Sequence, residues 1–305
     1  MTKSNRQDLT VVIPTFNRSQ ELVRALDSLV AQTDSDFEVI VCDDGSTEDI
    51  AAAIEGFHGQ LNLRLLRIEN SGGPARPRNV ATRAATTQWI SYLDSDDWWY
   101  PSRTARLKSQ LHDDCDIVYH PLKVERADHD SHANPPHGAN IGEPLRATDP
   151  IWHMIRFGNP LATSGTTVKR ELMLVMGGFD ESRELASVED FDAWLRLLSN
   201  GARLHFLSEP LGIYWVGSDQ ISTFNVRQFE CQRHLFRRQL TLLPGRYRAQ
   251  AQSNFAYLLG SYAIALGLPD AASYFSDLQL TQEPLRWLKA RAKLLRVGRV
   301  RLGSR

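Results

Sequence analysis

Four apolar runs punctuate the first hundred residues, at 9–14, 37–42, 63–68 and 90–93, and the stretches between them carry helical spacing. The first run, Leu9-Thr10-Val11-Val12-Ile13-Pro14, is rich in β-branched residues and closed by proline, as a buried strand is. Residues 17–32 place Leu22, Leu26, Leu29 and Val30 on one helical face, and 47–56 and 78–86 also read as helices. Strands that alternate with helices need crossover connections, so a mostly parallel sheet flanked by helices is expected. Ligands of such sheets bind beyond the carboxyl ends of the strands. The polar clusters of this chain fall there: Asp43-Asp44-Gly45-Ser46 after the second run, Asn70-Ser71-Gly72-Gly73-Pro74 after the third, and Asp94-Ser95-Asp96-Asp97 after the fourth.

Three carboxylates in four positions repel one another, and a fold keeps them when something offsets that repulsion. A hard divalent cation shared with a bound phosphate does so. Asp and Ser also suit turns and helix N-caps, and Pro101 fits near a helix start, so the run by itself is compatible with both readings.

The remainder of the chain narrows the class. Of 305 residues, 42% are hydrophobic and 23% charged, which describes a globular protein with one large domain and room for a smaller appendage. The three cysteines, Cys42, Cys115 and Cys231, lack metal-ligand spacing and read as buried free thiols in a reducing compartment. Residues 1–8 are polar and lack the apolar centre of a signal peptide, and no stretch is long and apolar enough to span a bilayer, so a cytoplasmic location is expected. Residues 128–150, rich in His, Pro, Asn and Gly, suggest a mobile excursion or lid. Four of the nine histidines lie between His120 and His137 without metal-ligand spacing, and read as part of a solvated loop. Residues 187–199 form a helical pattern, and from 228 onward the chain looks all-helical, with 257–266 and 270–278 as a helical hairpin about Gly267-Leu268-Pro269.

The order of motifs resembles glycosyltransferase family 2: Val12-Ile13-Pro14-Thr15-Phe16-Asn17-Arg18, then Val41-Cys42-Asp43-Asp44-Gly45-Ser46, then Gly72-Gly73-Pro74 with Arg78-Asn79, then Asp94-Ser95-Asp96-Asp97, and later Gly177-Gly178-Phe179-Asp180 followed by Glu189-Asp190. The resemblance covers about residues 9–216. It implies a GT-A, Rossmann-like α/β fold, with a glycosyltransferase domain over 1–225 (nucleotide-sugar half about 9–101, acceptor half about 150–225) and a helical region over 226–305. It further implies an enzyme that moves a sugar from a nucleotide-diphosphate donor, UDP- or dTDP-linked by preference, to a hydroxyl with inversion.

The same resemblance assigns roles. Pro14, Thr15, Asn17, Asp43, Asp44, Gly73, Arg78, Asp94 and Ser95 are the expected donor-binding residues, with Asp44 or Asp43 on the base and Arg78 placed to pair with phosphate. Gly45 is expected to permit close backbone approach. Asp96 is the expected ligand of Mg²⁺ or Mn²⁺, Asp94 holds ribose or assists the cation, and Asp97 ligates through water or caps the next helix. Asp190 is the expected general base, with Glu189 orienting it or contacting the acceptor. Gly177-Gly178-Phe179-Asp180 is expected to shape the acceptor-side loop. Two departures stand out. Pro77 replaces a small residue, and Leu211-Gly212-Ile213-Tyr214 is followed by Trp215 rather than by the family's Arg and His, leaving metal binding to Asp96 and water and Trp215 to the acceptor pocket.

The expected acceptor is a glycan or lipid-linked molecule of surface polysaccharide biosynthesis at the cytosolic membrane face. Residues 285–305 carry eight Lys and Arg and no acidic residue among interleaved Leu, Val and Trp287, a pattern suited to an anionic membrane surface or to a packed helix with a frayed basic tail. Nucleic acid is not expected as a partner, because no aromatic-and-basic recognition surface appears elsewhere. Two rivals are a catalytically degenerate sugar-nucleotide-binding scaffold and a sugar-nucleotide nucleotidyltransferase. The latter needs a glycine-rich triphosphate loop, which Pro14-Thr15-Phe16-Asn17-Arg18 is not.

Overall fold

Strand and helix alternate through β1 (Leu9–Thr15), α1 (Ser19–Val30), β2 (Glu38–Asp43), α2 (Ile50–Ile54), β3 (Asn62–Arg67), α3 (Ala75–Ala84) and β4 (Trp89–Tyr92). Then come β5 (Trp98–Trp99), α4 (Arg103–Lys108), β6 (Ile117–Tyr119), β7 (Leu122–Arg126), β8 (Asn140–Ile141) and α5 (Pro150–Phe157). After these follow β9 (Thr166–Lys169), α6 (Arg170–Val175), α7 (Glu189–Ser199), β10 (Leu204–Phe206), β11 (Gly212–Val216), α8 (Val226–Leu242), α9 (Gly245–Ala265) and α10 (Pro284–Leu302). The computed structural model describes residues 8–130, 135–146, 148–217 and 225–302, with side chains of α10 up to Leu295. The polar residues 1–7, His132 and Arg305 of the sequence reading lie outside the described residues.

The larger sheet has the order β10-β6-β9-β4-β1-β2-β3. β1 is parallel to β2 and β4, and β2 to β3, while β9 runs antiparallel between β4 and β6. All seven residues of β1 are buried, as a strand covered on both faces requires. Leu22, Ala25, Leu26 and Leu29 of α1 enter the same core as Val11, Ile13, Val39 and Val41. The strand order reverses at β1, with β2 and β3 on one side and β4 on the other. The crevice beyond β1 and β4 is therefore the switch point at which such sheets bind ligands. Pro14 is tolerated in this central strand because pairing with β4 ends at Val12 opposite Tyr92. A smaller sheet, β5-β11-β7-β8, includes part of the segment expected as a mobile excursion: Ile141 of β8 pairs with Leu122.

Several boundaries depart from the sequence reading for local reasons. α2 starts later than expected because the Asp49 side chain caps it, accepting from Ala52 N at 3.0 Å. α3 starts earlier, directly after Pro74, and its first intrahelical bond runs from Arg78 N to Pro74 O at 3.2 Å. Pro77 thus lies in the first turn, where its missing N–H leaves no bond unmade. His120 belongs to no loop: it is fully buried at the end of β6 and accepts from Arg103 Nε at 3.2 Å.

The chain divides into two compact units, Met1–Arg146 with Asn159–Gln220, and Ala147–Gly158 with Ile221–Arg305. The first holds both sheets. In the second, α5, which the sequence reading places inside the acceptor half of about 150–225, packs against α9. The expected hairpin is not formed as such. α9 is a single 21-residue helix, and beyond Gly267 the segment 270–278 makes only a short 3₁₀ turn at Ser273–Phe275. Ser273 donates its hydroxyl to Asp270 O at 2.8 Å, a local bond that competes with helix. The three cysteines are free and buried.

Candidate active site

The carboxylate run leaves β4 at the switch point, and each member has its own partner. Asp94 donates its backbone N–H to Ser164 Oγ at 3.0 Å, and its carboxylate accepts from Arg78 Nη2 at 2.5 Å. Asp96 pairs with the Arg18 guanidinium, while its carbonyl accepts from Arg24 Nη2 at 2.7 Å. Asp97 is buried and accepts the backbone N–H of Trp215 at 2.9 Å, tying β11 to the loop. It caps no helix; Ser102 stands at the N-cap position of α4. Burial raises Asp96 above the ordinary carboxylate value against the pull of Arg18. Burial, reinforced by the charges of Asp96 and Asp94, raises Asp97 much further. The repulsion foreseen in the sequence is thus divided among Arg78, Arg18 and a neutral backbone donor.

Arg78 is buried and joins two of the expected site carboxylates: besides Asp94, its Nη1 donates to Glu189 Oε1 at 2.6 Å. Burial disfavours the guanidinium charge, but Asp94 and Glu189 more than reverse this and raise its pKa. Both terminal nitrogens of Arg78, the residue expected to pair with phosphate, serve carboxylates in the structure. Glu189 is fixed by that pair at the first turn of α7, and Asp190 beside it points elsewhere. One Asp190 oxygen accepts from Asn159 Nδ2 at 3.0 Å and Thr163 Oγ1 at 3.3 Å, the other from Phe191 N at 2.7 Å. Burial first, then the Glu189 charge, push the Asp190 carboxyl up to about 7. The glycine pair before Phe179 has a partner on the donor side of the sequence. Asn79 Oδ1 accepts from Phe179 N and its Nδ2 donates to Phe179 O, both at 2.8 Å, so the turn is clasped to α3.

On the other side of the switch point, Thr15 and Asp43 are register partners at the ends of β1 and β2. Thr15 Oγ1 is buried without a hydrogen-bond partner, while Asp43 Oδ2 is ion-paired with Arg67 Nη1 at 3.4 Å and Asp43 Oδ1 accepts from Ser46 N at 2.9 Å. Asp44 is buried and accepts both the N–H of Ser71 at 3.0 Å and its hydroxyl at 2.8 Å, and burial raises its pKa. Asn17, in the left-handed region at φ 50°, accepts from Thr47 N at 2.8 Å and so joins the two loops instead of presenting its amide oxygen. Gly45 does permit a close approach, but by protein: a Cβ there would stand 2.7 Å from Asn70 N. Gly73 lines a recess with Ser71, Gly72, Arg76, Glu181 and Arg183, and Ser95 is buried within its loop.

Residues 10–167 match the family model described as Glycosyl transferase family 2. The chain belongs to glycosyltransferase family 2. Its fold is the GT-A architecture. Among curated relatives, an uncharacterized glycosyltransferase of Haemophilus influenzae is 29% identical over 67% of this chain and 66% of its own length. The succinoglycan biosynthesis protein ExoU of Rhizobium meliloti is 30% identical over 67% of this chain and 60% of its own. The chain thus spans less than two thirds of the length of these relatives. Among solved structures, Staphylococcus aureus TarS 1-349 in complex with UDP-GlcNAc matches with a TM-score of 0.67, at 21% identity over 94% of this chain and 88% of that one. The mannosyltransferase PcManGT of Pyrobaculum calidifontis, in complex with GDP-Man and Mn²⁺, gives 0.58 at 20% identity, over 94% and 85%.

Family 2 membership raises the question of a divalent cation, and the residues fit one. Asp94 and Asp96 are partly exposed, supply only hard oxygen donors, and lie at the switch point; burial raises Asp96, the Asp94 charge adds to it, and that repulsion is what a cation relieves. Among the described residues no three His, Cys, Asp or Glu side chains cluster as a ready-made cage. Asp94 and Asp96 would be the residues to hold such an ion.

The position where the family often has Arg and His holds Trp215, and its neighbour across the fold is Arg24. The Arg24 guanidinium lies 4.2 Å from the ring centre of Trp98 and 4.9 Å from that of Trp215. Trp99, by contrast, is core: it is buried, and its Nε1 donates to Ser164 O at 2.7 Å. Arg24, Asn159, Thr163 and Ser164 carried no motif and were missed in the sequence. Arg24 lies on the side of α1 away from Leu22, Leu26 and Leu29, so the helical periodicity carried no signal for it.

Proposed function

We infer that this chain is an inverting, metal-dependent glycosyltransferase that moves a sugar from a nucleotide-diphosphate donor to a hydroxyl of a glycan or lipid-linked acceptor. The observation that carries the reading is Asp190: a partly exposed carboxylate at a helix start, tuned to about 7 and oriented by Asn159 and Thr163. A base of that pKa is ionised in much of the population at neutral pH and still basic enough to take a hydroxyl proton.

The acceptor oxygen attacks the anomeric carbon on the face opposite the diphosphate. The carbon–oxygen bond to phosphate breaks with its electron pair, and the acceptor proton passes to the Asp190 carboxylate. Arg78 holds Glu189 and Asp94 in place on either side of the reacting centre. Thr15 Oγ1, buried with hydrogen-bonding capacity unused, suits the nucleoside beside Asp43, which Arg67 pairs at 3.4 Å; Asp44 shapes the wall through Ser71. Mg²⁺ or Mn²⁺ held by Asp96 and Asp94 would supply charge neutralisation for the departing diphosphate. UDP- or dTDP-linked sugars are favoured as donors, and surface polysaccharide at the cytosolic face of a membrane as the setting. The succinoglycan biosynthesis protein ExoU and the poly(ribitol-phosphate) beta-N-acetylglucosaminyltransferase TarS, to which this chain is similar, support that setting by analogy.

A thermal-shift series of nucleotide sugars with Mn²⁺ tests donor class, since a ligand of the folded state alone raises the melting temperature. Turnover of the stabilising donor should disappear in Asp190→Asn, which keeps the shift, and the Mn²⁺-dependent part of the shift should disappear in Asp96→Ala. Donor binding by the wild-type chain with no transfer to any hydroxyl acceptor overturns the reading in favour of a sugar-nucleotide-binding scaffold.

A further inference from the structure

Helix α10 has one face inside its unit and another that nothing in that unit covers. Trp287 and Leu294, with buried Ala290, pack against Tyr257, Ala256 and Phe275. The opposite stripe exposes Leu285 by 66%, Leu288 by 57% and Leu295 by 69%, with Ala292 exposed between them. Spacings of three, four and three residues keep these four side chains on one side of a helix. Exposed leucines scattered singly mean little, but an unbroken stripe is a surface with a use. Exposed Lys289 borders it on one side and exposed Arg291, whose guanidinium lies 4.7 Å from the Trp287 ring centre, on the other.

Charge identifies what covers it. Residues 221–305 hold fourteen Lys and Arg against four Asp and Glu, within a chain of net charge -1. From 284 to the last residue there are eight cations and no acid. A second copy of the chain would bring like charge against like charge. Nucleic acid takes up cations through its phosphates but gains nothing from a row of leucines. An anionic bilayer takes both, with apolar side chains at the acyl boundary and cations among headgroups.

We propose that α10 docks this chain on an anionic phospholipid bilayer, with Leu285, Leu288, Ala292 and Leu295 entering the interface and Lys289 and Arg291 lying among the headgroups. Trp287, the residue that the sequence pattern offers as an anchor, is not part of the docking face, because its ring belongs to the helix-packing core. The docking adds a partner surface to the enzyme reading above and depends on it only for the acceptor that the membrane would present.

The test is flotation of the full chain with vesicles of equal parts phosphatidylglycerol and phosphatidylethanolamine, beside vesicles of phosphatidylcholine alone. Wild type should float with the anionic vesicles and not with the neutral ones. Leu285→Ser/Leu288→Ser/Leu295→Ser should weaken binding at least tenfold while its melting temperature and its donor turnover stay as in wild type. Lys289→Glu/Arg291→Glu should also weaken binding, and what remains should fall less with added salt than that of wild type. Equal flotation of the triple variant, or equal flotation on neutral vesicles, overturns the proposal. So does a wild-type dimer by light scattering that becomes monomeric in the triple variant, or an RNA affinity that the triple variant lowers. The vesicle assay uses no donor, acceptor or Asp190, so its failure leaves the transferase reading untouched, and a catalytically dead chain that floats leaves the docking intact.

Discussion

Arg78 and Glu189, 111 positions apart, form a buried ion pair of 2.6 Å that joins α3 to α7. Arg78 also reaches Asp94 at 2.5 Å, so one guanidinium links the end of β4 with the start of the helix that presents Asp190. The relation makes Arg78 a strut between the two parts of the site.

Removing one partner of a buried pair leaves the other charge uncompensated. Arg78→Met should therefore destabilise the chain by about 3–5 kcal/mol. Urea unfolding measures this. In Arg78→Met/Glu189→Gln the buried Glu189 charge is gone and only the more exposed Asp94 is left without its partner, so part of the lost stability should return.

Asp190 titrates near 7 in the folded chain, against about 3.9 when unfolded. As the ionised base, it should give a turnover profile that falls on the acid side as pH drops through about 7, with Asp190→Asn lower by roughly 10²–10⁴-fold. The stability sign is opposite to that of a salt-bridged carboxylate. A raised folded pKa contributes stability below about 4 that is lost as pH rises through about 7. Asp190→Asn should consequently melt higher than wild type at pH 8 and lose that advantage toward pH 4, as scanning calorimetry would show.

The adjacent glycines should respond unequally to alanine. Gly177 and Gly178 have φ of 82° and 77°, so each substitution costs about 1–2 kcal/mol in backbone strain. A Cβ on Gly177 meets nothing within 4 Å, whereas one on Gly178 runs into the Asn79 amide that clasps Phe179. Gly178→Ala should cost at least about 1 kcal/mol more than Gly177→Ala in thermal unfolding.

The Arg24 stack should matter for the metal loop. Arg24→Ala removes a cation from between Trp98 and Trp215 and a donor from the Asp96 carbonyl. A loss of about 1–2 kcal/mol in stability is expected, with weaker Mn²⁺ binding in a titration followed by tryptophan fluorescence. Arg24→Lys keeps the charge but not the planar stacking surface, and should recover only part of both.

The parallel sheet and its polar edge were readable along the chain because burial imposes a period on neighbouring residues. β1 through β4 lie within a residue or two of where their apolar runs place them, and the clusters of Asp43, Gly73 and Asp94 stand at strand ends as parallel topology requires. The segment 270–278 was misread because helical spacing says nothing of Ser273 bonding back to its own turn. The long helix α9 was foreseen only in its last turns.

The residues that carry chemistry were legible by type, but their alliances were not. Arg78, read as a phosphate partner, bridges Glu189 and Asp94, and Asp97, read as a cap or an outer metal ligand, anchors β11 through Trp215. Asn159 and Thr163, which orient Asp190, belong to no pattern at all. Local sequence alone determined where this chain turns, pleats and coils, and which ends of its strands are charged. Only the tertiary structure decided which charge meets which, because pairing across a hundred residues depends on how helices close over a sheet, and no periodicity in the chain records it.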